Sequence, residues 1–207
     1  MRTLVIDTAT RACSVALYDG AHIIASHYEV IGRGHAERLL PLIAELPNCG
    51  KSDQVVVNVG PGSFTGIRVG VAAARALGLA WGVPVIGYGS LNLVAAMARA
   101  EANDNNAIDV VMSGGHGEYF CESFDSNGVS QAQVVSLTPV EAAKQSFATT
   151  VAGDVAADVV AKRGDGVVID LLPDASSWHL ISSVPALPAS PIYGRAPDAK
   201  LPKGKAE

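Results

Sequence analysis

"VVVNVGPGSFTGIRVGVAAARALGLAWG", residues 55–82, runs from β-branched apolar residues through a glycine-rich turn into a helix with almost no charge. Three familiar chemistries fail there on residue type. A Walker A loop needs Lys and a hydroxyl directly after its last glycine, but Ile67 and Arg68 follow Gly66. Gly60, Gly62 and Gly66 sit well for a dinucleotide turn, yet the next strand, "PVIGYG" at 84–89, has no acid for a ribose. A nucleophile elbow needs glycine two positions either side of Ser63, where Pro61 and Thr65 stand. Two readings stay open. Gly60 and Gly62 allow close backbone approach, and the free N–H groups at the helix start can receive an anion. Alternatively, this is simply a tight strand-to-helix turn.

Between Gly66 and Trp81 only Arg68 and Arg75 are charged, and Gly70, Ala73, Ala74 and Leu77 form a flat face of small residues. Such a face lets another helix come close. A surface helix carries a polar stripe, and this one barely does, so a neighbouring element or a partner chain covers both sides.

The chain has 207 residues, 49% of them hydrophobic, and a formal net charge of -5. Acidity argues against a general grip on nucleic acid, which clustered Lys and Arg provide. Cys13, Cys49 and Cys121 form no C-x-x-C pair and imply neither a disulfide framework nor a zinc site. His22, His27, His116 and His179 lack ligand spacing, so no metal is assigned, and no Ser-His-Asp set points to a catalytic residue. "MRTLVIDTAT" lacks the apolar core of a signal peptide and no window reaches the roughly 20 apolar residues of a membrane span. A cytoplasmic location is the expectation.

Along the chain, residues 2–30 read as three strands and "HAERLLPLIAEL" (35–46) as a helix that Pro41 kinks or delays. A strand, the helix 66–81, "PVIGYG" and the helix "LNLVAAMARAEA" follow. "IDVVMS", "EYFCESFD" and "SQAQVVSL" then supply three more strands, "TPVEAAKQ" a helix, "FATTVAG" a strand, "VAADVVAKR" a helix and "GVVID" a strand. The order strand-strand-strand-helix-strand-helix thus occurs twice, which predicts a duplicated α/β fold of two lobes with mixed sheets. The expected division is 1–102 for the first lobe, 103–184 for a smaller second lobe and 185–207 for an extended Pro-rich tail, with "ANDNNA" as linker.

"IDTATRACSVALYDG" (6–20), "GHAERLLPLIAEL" (34–46), "VGPGSFTGIRVGVAAARALGLAWGVPVIGYGSL" (59–91) and "PIYGRAPDAK" (191–200) together resemble the TsaB family, the dimerisation subunit of the bacterial tRNA threonylcarbamoyladenosine machinery. The likeness is dense over the first 95 residues and thin beyond. It implies an actin-like pair of lobes related to sugar kinases and chaperone ATPases. It also implies a non-catalytic partner of the transferase TsaD, assisted by the ATPase TsaE, homodimeric when alone and touching tRNA only through the complex.

The interface so implied lies on the helices 35–46 and 66–81, at Leu39, Ile43, Ile67, Gly70, Val71, Ala73, Ala74 and Leu77. No cofactor is required of this chain, although ATP or ADP at a subunit boundary in the complex fits the fold, with Asp7, Thr8, Gly60 and Gly62 as contacts. TsaD-like chains hold a metal through two histidines one helical turn apart, whereas here Leu39 stands four residues after His35. "MSGGHGE" (112–118) replaces the family's usual Asp-Ala-Arg, which weakens a claim of nucleotide turnover. The alternative function is an autonomous actin-like ATPase or small-molecule kinase, motivated by the two lobes and the Asp7 turn.

Overall fold

The computed structural model describes residues 1–102 and 106–194. Part of the expected linker, and the tail from Arg195 with Lys200, Lys203 and Lys205, lie outside the described residues. The opening meander is β1 (Arg2–Asp7), β2 (Ala12–Asp19) and β3 (His22–Val30), followed by α1 (His35–Glu45), β4 (Gln54–Asn58), α2 (Phe64–Trp81), β5 (Val85–Tyr88) and α3 (Ser90–Ala102). The second half repeats this order as β6 (Ile108–Gly115), β7 (Glu118–Phe124), β8 (Val135–Leu137), α4 (Pro139–Gln145), β9 (Thr150–Ala152), α5 (Ala156–Arg163) and β10 (Val167–Ile169). A 3-10 helix at Ala175–Ile181 and the short β11 (Leu187–Pro188) complete it.

The sheet orders are β11-β5-β4-β1-β2-β3 and β10-β9-β6-β7-β8. In each sheet the first strand pairs antiparallel with the second and parallel with the fourth. The duplication read from element order is therefore a duplication of topology.

Both sheets are covered on two faces, which is why their central strands read as continuous apolar runs. Leu4, Ile6, Val15, Val55 and Val57 face α1 and α2, while Val5, Ala16, Tyr18 and Val56 face α3 and the 3-10 helix. In the second sheet Val111 and Val151 pack under α4 and α5, and Ile108, Val110, Met112 and Phe120 pack on α3. α3 is thus the shared layer, with Leu93 turned to the first sheet and Leu91, Val94 and Ala98 to the second.

Local signals explain most boundaries. Ser63 caps α2, accepting from the Gly66 amide at 3.2 Å, and Gly82 ends it in the left-handed region at φ 68. Thr138 and Glu141 form a capping box on α4. Pro41 does not delay α1, which starts at His35 and includes Pro41 in its interior. Pro41 lies on the exposed side, where water can serve the carbonyl left without an N–H partner. The strand expected over 130–137 shrinks to Val135–Leu137, because Ser130 and Gln131 form local bonds to the Ala132 and Val129 carbonyls.

The second sheet ends at Ile169, and the segment after it crosses back to the first sheet. The Tyr18 hydroxyl donates to the Ser176 and Ala175 carbonyls at 2.6 and 3.1 Å, and the Ala175 amide donates to Ser14 Oγ at 2.9 Å. Tyr18 is fully buried, so Tyr18→Phe removes both bonds by which its hydroxyl ties this segment to β2. We expect a loss of about 1–2 kcal/mol in chemical denaturation with unchanged circular dichroism.

Candidate functional site

The turn between β1 and β2 meets the start of α2, and this junction holds every residue singled out as a nucleotide contact. A Cβ on Gly62 would overlap the Ala9 carbonyl oxygen, one on Gly66 the Thr8 carbonyl oxygen, and one on Gly70 the Thr8 hydroxyl. The glycines therefore admit the chain's own turn. Two bonds lock the approach. Ser63 N–H donates to the Ala9 carbonyl and Thr8 Oγ1 to the Gly66 carbonyl, both at 2.7 Å.

Gly60 is equally occupied, since a Cβ there would lie 2.6 Å from the Ile192 carbonyl oxygen and 2.7 Å from the Ile67 side chain. Of the two open readings of the loop, the packed turn has direct geometric support, and Gly60 and Gly62 are filled by protein. Thr8 is fully buried with its hydroxyl donated to the Gly66 carbonyl of α2.

Asp7 is 1% exposed. Its Oδ2 accepts from Asn58 Nδ2 and from the Tyr88 hydroxyl, both at 2.7 Å, and its Oδ1 from the Ala9 amide at 3.1 Å. Asn58 Oδ1 in turn accepts from the Gly60 amide and Ser90 Oγ, both at 2.8 Å. The ends of β1, β4 and β5 and the start of α3 are tied together by this network. Burial pushes the Asp7 carboxyl up to about 6, against the opposing effect of its three donors, with the charge of Asp174 adding to the rise. Burial likewise raises the Tyr88 phenol well above its ordinary value. Asp7 is therefore a buried acid whose carboxylate oxygens are both engaged by the chain's own donors.

The second lobe places Ser113 and Asp154 at the corresponding strand ends. Ser113 N–H and Oγ each donate to the Asp154 carboxylate at 2.8 Å. Between the two turns opens a cleft of about 320 Å³, lined by Thr10, Arg11, Ser63, Phe64, Gly114 and His116 among others. His116 and its glycine neighbours Gly115 and Gly117 all have positive φ.

His35 is buried, and its Nε2 donates to the Ala12 carbonyl at 3.1 Å. Among the described residues no three His, Cys, Asp or Glu side chains gather closely enough for a metal ion. Nor is any helix among them long and apolar enough to cross a membrane.

The expected interface residues are mostly turned inward. Leu39, Ile43, Ile67, Val71 and Ala74 are at most 3% exposed and belong to the core under α1 and α2, and Gly70 abuts Thr8. Ala73 and Leu77 remain half-buried at the rim. The solvent face of α2 is instead Arg68, Ala72, Arg75, Ala76 and Leu79, and that of α1 includes Ala36, Leu40 and Ala44. Leu79 is 87% exposed and Leu40 54%. Arg68 and Arg75 already marked this face, since 68, 72, 75, 76 and 79 repeat at helical spacing. Asn58, Tyr88 and Ser90 carried no comparable signal.

A family model described as "TsaD: tRNA N6-adenosine threonylcarbamoyltransferase" matches residues 22–165. The tRNA threonylcarbamoyladenosine biosynthesis protein TsaB of Escherichia coli (strain K12) is 36% identical over 138 residues, covering 62% of this chain and 58% of that protein. Its namesake in Haemophilus influenzae is 42% identical over 116 residues, 52% of this chain and 46% of that protein. The chain spans about half the length of the curated relatives it matches. Among solved structures, YeaZ from Pseudomonas aeruginosa superposes with a TM-score of 0.79 at 27% identity, covering 93% of this chain and 99% of that one.

The duplicated lobes and the cleft between their turns define an actin-like protein. With the model match and these relatives, the chain belongs to the threonylcarbamoyltransferase family as a TsaB-type member.

Two outcomes follow from the junction. Gly66→Ala should cost about 2–4 kcal/mol, despite the roughly 1 kcal/mol that Ala gains over Gly inside a helix. Gly70→Ala, which meets a rotatable hydroxyl, should cost less, and urea titration separates the two. Asp7 binds its proton more tightly when folded, so its stabilising contribution is full below about pH 4 and lost as pH rises through about 6. Relative to Asp7→Asn, the wild-type chain should lose on the order of 2 kcal/mol between pH 4 and 7.5, read from paired denaturation curves.

Proposed function

We propose that this chain is a non-catalytic docking subunit that binds the threonylcarbamoyl transferase TsaD and supports N6-threonylcarbamoyladenosine modification of tRNA beside the anticodon. The observation that carries this reading is the solvent face of α1 and α2, where Leu40 and Leu79 stand exposed among alanines. Burying one such leucine contributes roughly 2 kcal/mol, and small neighbours let a partner helix approach closely. The buried, hydrogen-bonded Asp7 supports the absence of turnover in this chain.

In this reading the chain self-associates through the same face when alone, works in the cytoplasm with TsaE, and meets tRNA through the complex. A nucleotide, ATP or ADP, belongs to a subunit boundary. The cleft beside Arg11 and Phe64 supports a second reading, an autonomous actin-like ATPase or small-molecule kinase. That reading requires phosphate release by the isolated chain.

Size exclusion with light scattering, on the chain alone and mixed with TsaD, tests the docking reading. The wild-type chain should dimerise and exchange into a heterodimer. Leu79→Glu should stay folded and monomeric and lose TsaD binding by about tenfold or more, because a carboxylate would be buried unpaired. Equal behaviour of the two chains overturns the proposal.

A further inference from the structure

Between Leu187 and Gly194 the chain runs back along the first lobe. Leu187 and Pro188 pair antiparallel with Gly87 and Ile86 at the edge of the first sheet. Arg75 Nε on α2 donates to the Ala189 carbonyl at 2.9 Å, and the Ile192 amide donates to the Val59 carbonyl at 2.7 Å. The Tyr193 ring stacks on Phe64 with centroids 4.5 Å apart and planes within 8°. Arg68 Nε donates to the Tyr193 hydroxyl oxygen at 3.0 Å, with its guanidinium over both rings.

Gly194 then reaches the other lobe. A Cβ there would lie 2.5 Å from Phe120 Cε1 and 2.9 Å from Pro61 Cβ. Phe120 is 1% exposed and belongs to the core between α3 and the second sheet, whereas Pro61 belongs to the first lobe's turn. Phe64, under the Tyr193 ring, also lines the cleft between the lobes.

We infer that Leu187–Gly194 is a strap that fixes the opening of the interlobe cleft, anchored along the first lobe and stopped against Phe120 of the second. Two lobes joined through a shared layer hinge by default unless a further contact holds them. α3 supplies the inner contact, and the strap supplies one at the rim where Pro61 faces Phe120. Tyr193 on Phe64 couples the strap to the cleft wall, so the same contact sets both lobe angle and cleft shape. The strap goes beyond the docking proposal and stands whether or not TsaD is the partner.

The test is an interlobe distance distribution in the full chain, from spin labels on the exposed natural Cys49 and on Lys144→Cys of α4. Cys121→Ser removes the partly buried thiol from the background, and dilution in unlabelled chain removes intermolecular pairs. A single narrow distribution is expected for the parent. Arg68→Ala with Tyr193→Ala should broaden it about twofold or more and lower the exchange protection of the Ile192 amide about tenfold. A chain ending at Pro185 should broaden it at least as much. If protection of Ile192 falls and the distance stays unchanged, the segment is local packing only and the inference is overturned. Should the shortened chain not fold, the double variant decides alone.

Discussion

The carbonyl oxygens of Thr8 and Ala9 occupy the space that side chains at Gly66 and Gly62 would fill, and the architecture of the first lobe depends on that approach. It sets α2 against the end of β1, aligns the Ser63 cap with the Ala9 carbonyl, and brings Asp7 within reach of Asn58 and Tyr88. A backbone-to-backbone contact of this kind tolerates no Cβ, because neither carbonyl can rotate away without breaking the strand-end bonds around it. The glycine-rich loop is accordingly a packing device first.

That packing also decides which side of α2 is free. Gly70, Ala74 and Gly78 lie against the sheet, with Gly78 tight against Val85, and Ala72, Ala76 and Leu79 face outward between two arginines. Both arginines are held by the returning tail, Arg68 by Tyr193 and Arg75 by the Ala189 carbonyl. The exposed stripe is thus apolar at its centre with its charges engaged within the chain. Such a stripe supports a docking role better than a solvated helix face would.

The two halves share topology and differ in chemistry. At the ends of the first and fourth strands, the first lobe pairs Asp7 with Asn58 and adds Tyr88 and Ser90 behind them. The second lobe pairs Ser113 with Asp154 near its surface. In the first lobe Asp7 and Thr8 are buried, and the corresponding turn of the second lobe is a glycine-rich hairpin. The cleft between them remains, with Arg11 and Phe64 on one wall and Gly114 and His116 on the other.

Element order, the duplication and the small-residue character of α2 were all legible in the sequence. Each follows from periodicity and turn residues within a few positions. The two arginines also carried the orientation of α2, but a second face of small residues competed with them. Sidedness is decided by what the helix packs on, and periodicity alone leaves that open.

The partners of Asp7 lie 51 and 81 residues away, and Tyr193 is 125 residues from Arg68. These contacts exist because strand order places the ends of β1, β4 and β5 side by side and sends the tail back along β5. The sequence by itself determined two α/β repeats and a glycine turn between a strand and a helix. Only the tertiary structure decided that the turn is filled by the chain's own backbone and that Asp7 is buried, because sheet neighbours are chosen by global packing rather than by nearby residues.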